Sequence, residues 1–251
     1  MIGKERGSRG RVLPGAVGGG EAPGRRLILD YLRELRSHND RDWFEAQRTR
    51  YDEARAAFET LLGELIDAFG AVDDLGPVSV KDCAFRLNRD VRFSKDKTPY
   101  KTAMSALVGA RGRKSGPRSY YFHLEPDGLS MLAGGLHSPT PAELAALRSS
   151  IAEGGAPLRK ILAEAAFVAA FGGLEGASLK TVPRGYPADH PELGLLRRTQ
   201  FLATHHLDDS MVLSPLLIGH SLDIFGAMKP FVVYLEGALE GGGAGAAKGR
   251  N

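Results

Sequence analysis

Apolar positions along this chain recur first with a helical period, then with the period of a strand, then with a helical period again. Leu27, Ile28, Tyr31, Leu32 and Leu35 share one helical face, and the run stops at His38-Asn39. Phe44, Gln47, Tyr51, Ala54, Phe58, Leu61, Leu65 and Ala68 then step by three and four until Gly70. This predicts a second, longer helix, capped by Asn39, whose stripe faces a core. Cys83, Phe85 and Leu87 alternate with Ala84, Arg86 and Asn88, the mark of a strand, which is expected to continue to Phe93. Met104, Ala106 and Val108 predict a second strand, and Tyr120, Phe122 and Leu124 a third. The turn Pro126-Asp127-Gly128 leads into a fourth strand that ends at Gly134-Gly135.

Helical spacing returns at Thr140-Pro141-Ala142-Glu143, where Thr and Glu three apart form a capping box and proline takes the first helical position, for a helix to about Ile151. Pro157 opens another helix. A short one is expected near Glu192 to Arg198, then an extended segment Phe201 to Leu207. Ser214-Pro215 starts the closing helices, which Lys229-Pro230 is expected to interrupt. Strands joined without intervening helices pair antiparallel. The chain therefore reads as α+β: an antiparallel sheet of about four to five strands in the middle, with N-terminal and C-terminal helices packed on it.

Composition narrows this reading. A 43% hydrophobic, 25% charged chain of 251 residues can bury one substantial core, taken here as a single domain over 27–238. Residues 1–26 read as a disordered arm or as the product of an upstream start codon, and lack the continuous apolar stretch of an exported leader. Residues 239–251 read as a flexible Gly/Ala-rich tail. A single cysteine, Cys83, excludes an internal disulfide and suits a reducing cytoplasm. It sits on the apolar face of its strand, where burial is expected. The run Met211 to Ile218 is broken and far shorter than the roughly 20 residues that cross a bilayer, so no membrane partner is expected.

Charge is concentrated. Between Arg86 and Arg118 ten cations face only Asp90 and Asp96, a local net charge of +8, while the whole chain is +3. A focused positive site on an otherwise acidic body suits a particular anion better than a long polyanion. The candidate ligand-binding residues are Arg86, Arg89, Arg92, Lys95, Lys97 and Lys101: planar arginine forks and lysine point charges match phosphate or carboxylate. On the strand expected to reach Phe93, Arg89 falls on the apolar side and needs a bulge or a carboxylate partner. Pro99 makes Ser94 to Lys101 a loop. Proton-transfer candidates are Asp90, Asp96, Tyr100 and His123, the last sharing a strand face with Tyr121. His205-His206 and Asp208-Asp209 are metal-ligand types, but adjacent histidines on a strand point to opposite faces, so no metal is assigned. No G-x-S-x-G, G-x-x-x-x-G-K-[ST] or H-E-x-x-H motif is present, and no cofactor is implied.

The run R-D-V-R-F-S-K-D-K-T-P-Y-K at Arg89 to Lys101 resembles the domain of unknown function 2461 family of conserved hypothetical proteins. So do N-D-R-D-W-F from Asn39 to Phe44, Y-Y-F-H from Tyr120 to His123, and Ala133-Gly134-Gly135. Leu179-Lys180, Pro183, Gly185-Tyr186 and Asp189-His190-Pro191 complete the likeness, which covers about 27–238. The resemblance implies a shared fold and no established activity. Members of that family often carry an aromatic residue before the proline that follows the double glycine, where this chain has Leu136-His137-Ser138-Pro139.

Three functions fit these observations. The first is binding of, and action on, a small anionic ligand, with phosphorylated molecules among the candidates, at the basic motif. The second is nucleic-acid association through the same patch and the arginine-rich arm, although only Phe93 and Tyr100 are interleaved for stacking. The third is a structural or interaction module whose motif is an internal ion-pair network.

Overall fold

The computed structural model describes residues 22–246; residues 1–21 of the expected arm and the tail's 247–251 lie outside the described residues. Helix α1 spans Pro23–Ser37, α2 Arg41–Ala46, α3 Arg48–Phe69 and α4 Val80–Cys83. Strands β1 Met104–Gly109, β2 Ser119–Leu124 and β3 Ser130–Leu136 follow. Helices α5 Pro141–Gly154, α6 Ala156–Ala163, α7 Ala165–Phe171 and α8 Leu193–Leu196 come next, then β4 Phe201–Leu207, α9 Asp209–Leu213 and α10 Leu217–Ala246. The sheet order is β1-β2-β3-β4, and every neighbouring pair is antiparallel. The α+β architecture read from periodicity is the one observed.

Alternation along the strands divides the sheet into two unlike faces. Ala106, Val108, Tyr120, Phe122, Leu132, Phe201 and Ala203 are buried beneath the helices, with α3 against β1 and α10 against β3. Gly134 permits that second contact: a Cβ there would lie 2.3 Å from Met228 Sδ of α10. Gly135 has φ +112, and a Cβ would meet the Phe201 carbonyl oxygen at 2.1 Å, so the double glycine is required by backbone geometry and packing. The opposite face carries two cross-strand rows, Ser105–His123–Met131–His206 and Leu107–Tyr121–Ala133–Thr204. These side chains form the floor of open hollows.

Three local expectations are corrected. The strand drawn from Cys83 to Phe93 is absent: Cys83 ends α4, Ala84 makes a single bridge to Ala106, and Asn88 makes another to Tyr100. Ser79 caps α4 by accepting from the Asp82 amide, and helical hydrogen bonding outweighs an alternation only a few residues long. Asn39 does not cap the second helix. Asp40 does, accepting from the Trp43 amide at 2.8 Å, and the helical run breaks at Gln47 into α2 and α3. Pro230 does not interrupt the closing helix, because Phe225, Met228, Phe231, Val232 and Leu235 on both sides of it are fully buried. Burying each such side chain contributes about 1.5–3 kcal/mol, together more than the roughly 3 kcal/mol that an interior proline costs. Helix α10 also runs across position 239, where a tail was expected to start.

Candidate functional site

The basic motif folds as a narrow hairpin. Arg89 N donates to the Pro99 carbonyl and Lys101 N to the Leu87 carbonyl, both at 2.9 Å, which leaves the backbone of Tyr100 facing away from its partner strand. The Asn39 carboxamide completes it: Nδ2 donates to Tyr100 O at 3.0 Å and Oδ1 accepts from Tyr100 N at 3.1 Å. One side chain thus stands in for a missing strand. The Tyr100 ring stacks on Phe44 with centroids 4.1 Å apart, so N-D-R-D-W-F and the hairpin form one structural unit. Burial raises the Tyr100 phenol above its ordinary pKa.

Beside the hairpin, alternate residues of β2 project from the open sheet face and continue past the strand end. Tyr121 Oη lies 3.0 Å from His123 Nδ1, and His123 Nε2 lies 3.0 Å from Glu125 Oε2. Thr102 donates to the other Glu125 oxygen at 2.7 Å, and burial raises the Tyr121 phenol above its ordinary pKa, with the Ser105 hydroxyl opposing. Burial holds His123 below the ordinary histidine pKa despite Glu125, which favours the neutral ring. A carboxylate facing Nε2 selects the Nε2–H tautomer, so Nδ1 accepts from the Tyr121 hydroxyl. The chain Tyr121–His123–Glu125 therefore carries its hydrogens in one direction, an arrangement suited to moving a proton along the cleft floor.

The hairpin and this chain enclose a cleft of about 460 Å³. Lys101 lies in it, half-buried, with its ammonium 5.2 Å from the centroid of the Phe85 ring. Among the described residues no carboxylate reaches that ammonium. Desolvation, and then the charge of Arg86, lower its pKa.

The other cations expected at the site do not converge. Arg89 lines the cleft, but its guanidinium is bound to Asp96 and to the Thr98 hydroxyl and carbonyl. Asp96 is held at a pKa of about 2 by the Thr98 amide and by Arg89. Arg92 forks onto Asp90 at 2.9 and 2.6 Å, away from the cleft, and Lys97 donates to the Val91 carbonyl. Lys95 is exposed. Arg86 borders a neighbouring hollow with Arg55, Lys81 and Arg113. Two of that group serve the backbone, Arg113 bonding the Lys81 and Ala84 carbonyls and Arg55 the Phe85 carbonyl. Arg113, Lys97 and Arg55 thus satisfy the Ala84, Val91 and Phe85 carbonyls left free where a strand was expected.

Of the proton-transfer candidates, Asp96, Tyr100 and His123 line the cleft and Asp90 does not. The sequence reading missed Thr102, Ser105 and Glu125 as partners of His123. The alternation Tyr121, His123, Glu125 was visible in the chain, but it extends one residue beyond the strand. Cys83 is fully buried and its thiol pushed up by desolvation. His205 and His206 face opposite sides, His205 toward His220 at 3.0 Å and the Ala170 carbonyl, His206 toward Glu175 at 3.9 Å. Asp208 caps α9, and Asp209 accepts from the Asp127 and Gly128 amides. Among the described residues no group of three or more His, Cys, Asp or Glu could hold a metal ion. No helix among them is long and apolar enough to cross a membrane.

No curated protein and no solved structure matches the chain. A family model described as "Conserved hypothetical protein (DUF2461)" matches residues 27–234, which takes in most of α1, the hairpin, the whole sheet and most of α10. With the match spanning every element that builds the cleft, the chain belongs to the DUF2461 family of conserved hypothetical proteins.

Proposed function

We propose that the protein binds a small anionic molecule in the cleft between the Leu87–Lys101 hairpin and β1–β2, with Lys101 meeting the anion and the His123 chain exchanging a proton with it. The observation that carries this reading is the half-buried, carboxylate-free ammonium of Lys101. A desolvated cation without a counter-ion weakens the fold unless something else requires it. Beside it, a neutral imidazole backed by a carboxylate has the arrangement of a general base or acid. Arg89, already paired with Asp96, shapes the rim and adds a second positive potential.

Thermal-shift titration with phosphate, malonate and short monocarboxylates tests the reading. A ligand present at a hundred times its Kd stabilises the fold by about 2.7 kcal/mol, a rise of roughly 5–10 °C for a domain of this size. Lys101→Gln should abolish the rise, whereas Arg92→Ala, outside the cleft, should leave it intact. Equal responses from both variants, or none from wild type with any anion, overturn the proposal.

A further inference from the structure

The anion cleft does not end at His123. A second hollow of about 600 Å³ adjoins it over the open sheet face and shares Phe85, Tyr121 and His123 with it. Its floor is mostly apolar and spans all four strands, with Leu107 from β1, Tyr121 from β2, Met131 and Ala133 from β3 and Leu202 from β4. Adjacent strands lie about 4.8 Å apart, so the path from β1 to β4 is about 14 Å. At its far end His206 and Glu175 are both more than half exposed, and the hollow opens to solvent there.

We propose that the ligand is an amphiphilic anion: a carboxylate or similar head at Lys101 and an unbranched or flat apolar body laid across the sheet toward β4. This rests on the anion-binding reading above and adds the class of molecule. Charge complementarity selects the occupant. Among the described residues the half-buried Lys101 ammonium, which no carboxylate reaches, stands at one end of the trough, and no lysine or arginine lines the trough itself. A purely polar anion would leave the apolar floor wet, and a purely apolar one would leave the Lys101 ammonium unmatched.

The test is a homologous series of straight-chain carboxylates from acetate to decanoate, each below its micellar concentration. Titration calorimetry would use the full chain, with 1-octanol as the neutral control. Each methylene that enters the trough should tighten binding about threefold to fourfold, until the chain reaches the His206–Glu175 end. Octanol should bind at least tenfold more weakly than octanoate, and Lys101→Gln should remove that difference. Leu202→Glu, at the β4 end and remote from Lys101, should abolish the chain-length gain beyond butyrate while leaving acetate binding unchanged.

The failures are distinguishable. Short anions that bind without any chain-length gain overturn the amphiphile and leave the anion site standing. A chain-length gain shared equally by octanol, and indifferent to Lys101→Gln, overturns both. A dimer seen by light scattering that decanoate dissociates assigns the trough to a second copy of the chain and also overturns the amphiphile. The wild-type series decides the matter even where Leu202→Glu fails to fold.

Discussion

Replacing Asp73 by asparagine should destabilise the protein by about 2–3 kcal/mol near neutral pH, with a loss that disappears in acid. The Asp73 carboxylate has no solvent exposure and accepts from Arg118 Nε at 2.9 Å, from Tyr120 Oη at 2.9 Å and from Lys229 Nζ at 3.2 Å. It ties the end of α3 to the start of β2 and to the middle of α10. Those contacts, Arg118 foremost, hold its pKa at about 2. Against an unfolded value near 3.9, the difference is worth about 2.5 kcal/mol when the group is ionised. Arg118 and Lys229 are 33% and 40% exposed and can turn to water, so the loss should fall below the roughly 3–5 kcal/mol of a fully enclosed pair. The folded pKa is depressed, so the contribution is complete above about pH 4 and is given up as pH falls toward 2. Urea unfolding of both proteins at pH 7, and at steps from pH 5 to 2, measures the gap directly. A gap below about 0.5 kcal/mol at pH 7, or one of constant size down to pH 2, would refute the assignment of Asp73 as an ionised anchor.

Lys101→Met should leave the ligand-free protein with an unchanged or higher melting temperature, because it removes a desolvated ammonium, while losing the response to anions; a fall in melting temperature would count against the missing counter-ion. His123 has a lowered folded pKa, so its contribution is present above about pH 6.5 and lost as pH falls through the folded value. Wild type should therefore lose stability relative to His123→Gln over that acid range, as read by thermal unfolding in matched buffers, and superimposable profiles would exclude a neutral buried imidazole. Asn39→Ala removes both partners of the Tyr100 backbone and should cost about 2 kcal/mol by urea unfolding, with faster proteolysis within Leu87–Lys101.

The site explains why its motif is long. Arg89, Asp96, Thr98 and Tyr100 hold the hairpin in shape through one another and through Asn39 and Phe44, fifty or so residues upstream. Lys101 and Phe85 are left to face the cleft. A motif that is mostly scaffold can still be where chemistry happens, because an ammonium is positioned only as well as the loop that carries it.

Periodicity alone determined the succession of helix, sheet and helix and the capping box at Thr140, since each depends on residues a few positions apart. It also located His123 and Tyr121 on one strand face. Cys83 is buried as expected, but at the end of a helix and not on the strand face from which its burial was read. The fate of the cations was decided by tertiary structure: Arg113 and Arg55 turn to backbone carbonyls, Arg89 and Arg92 to nearby aspartates, and Lys101 to none of these. The same holds for Asn39, whose best partner, the Tyr100 backbone, lies 61 residues away. A charge in a sequence reports only its own sign and its neighbours. Which groups compete for it, and whether water remains to screen it, follow from segments that meet only when the sheet and helices close.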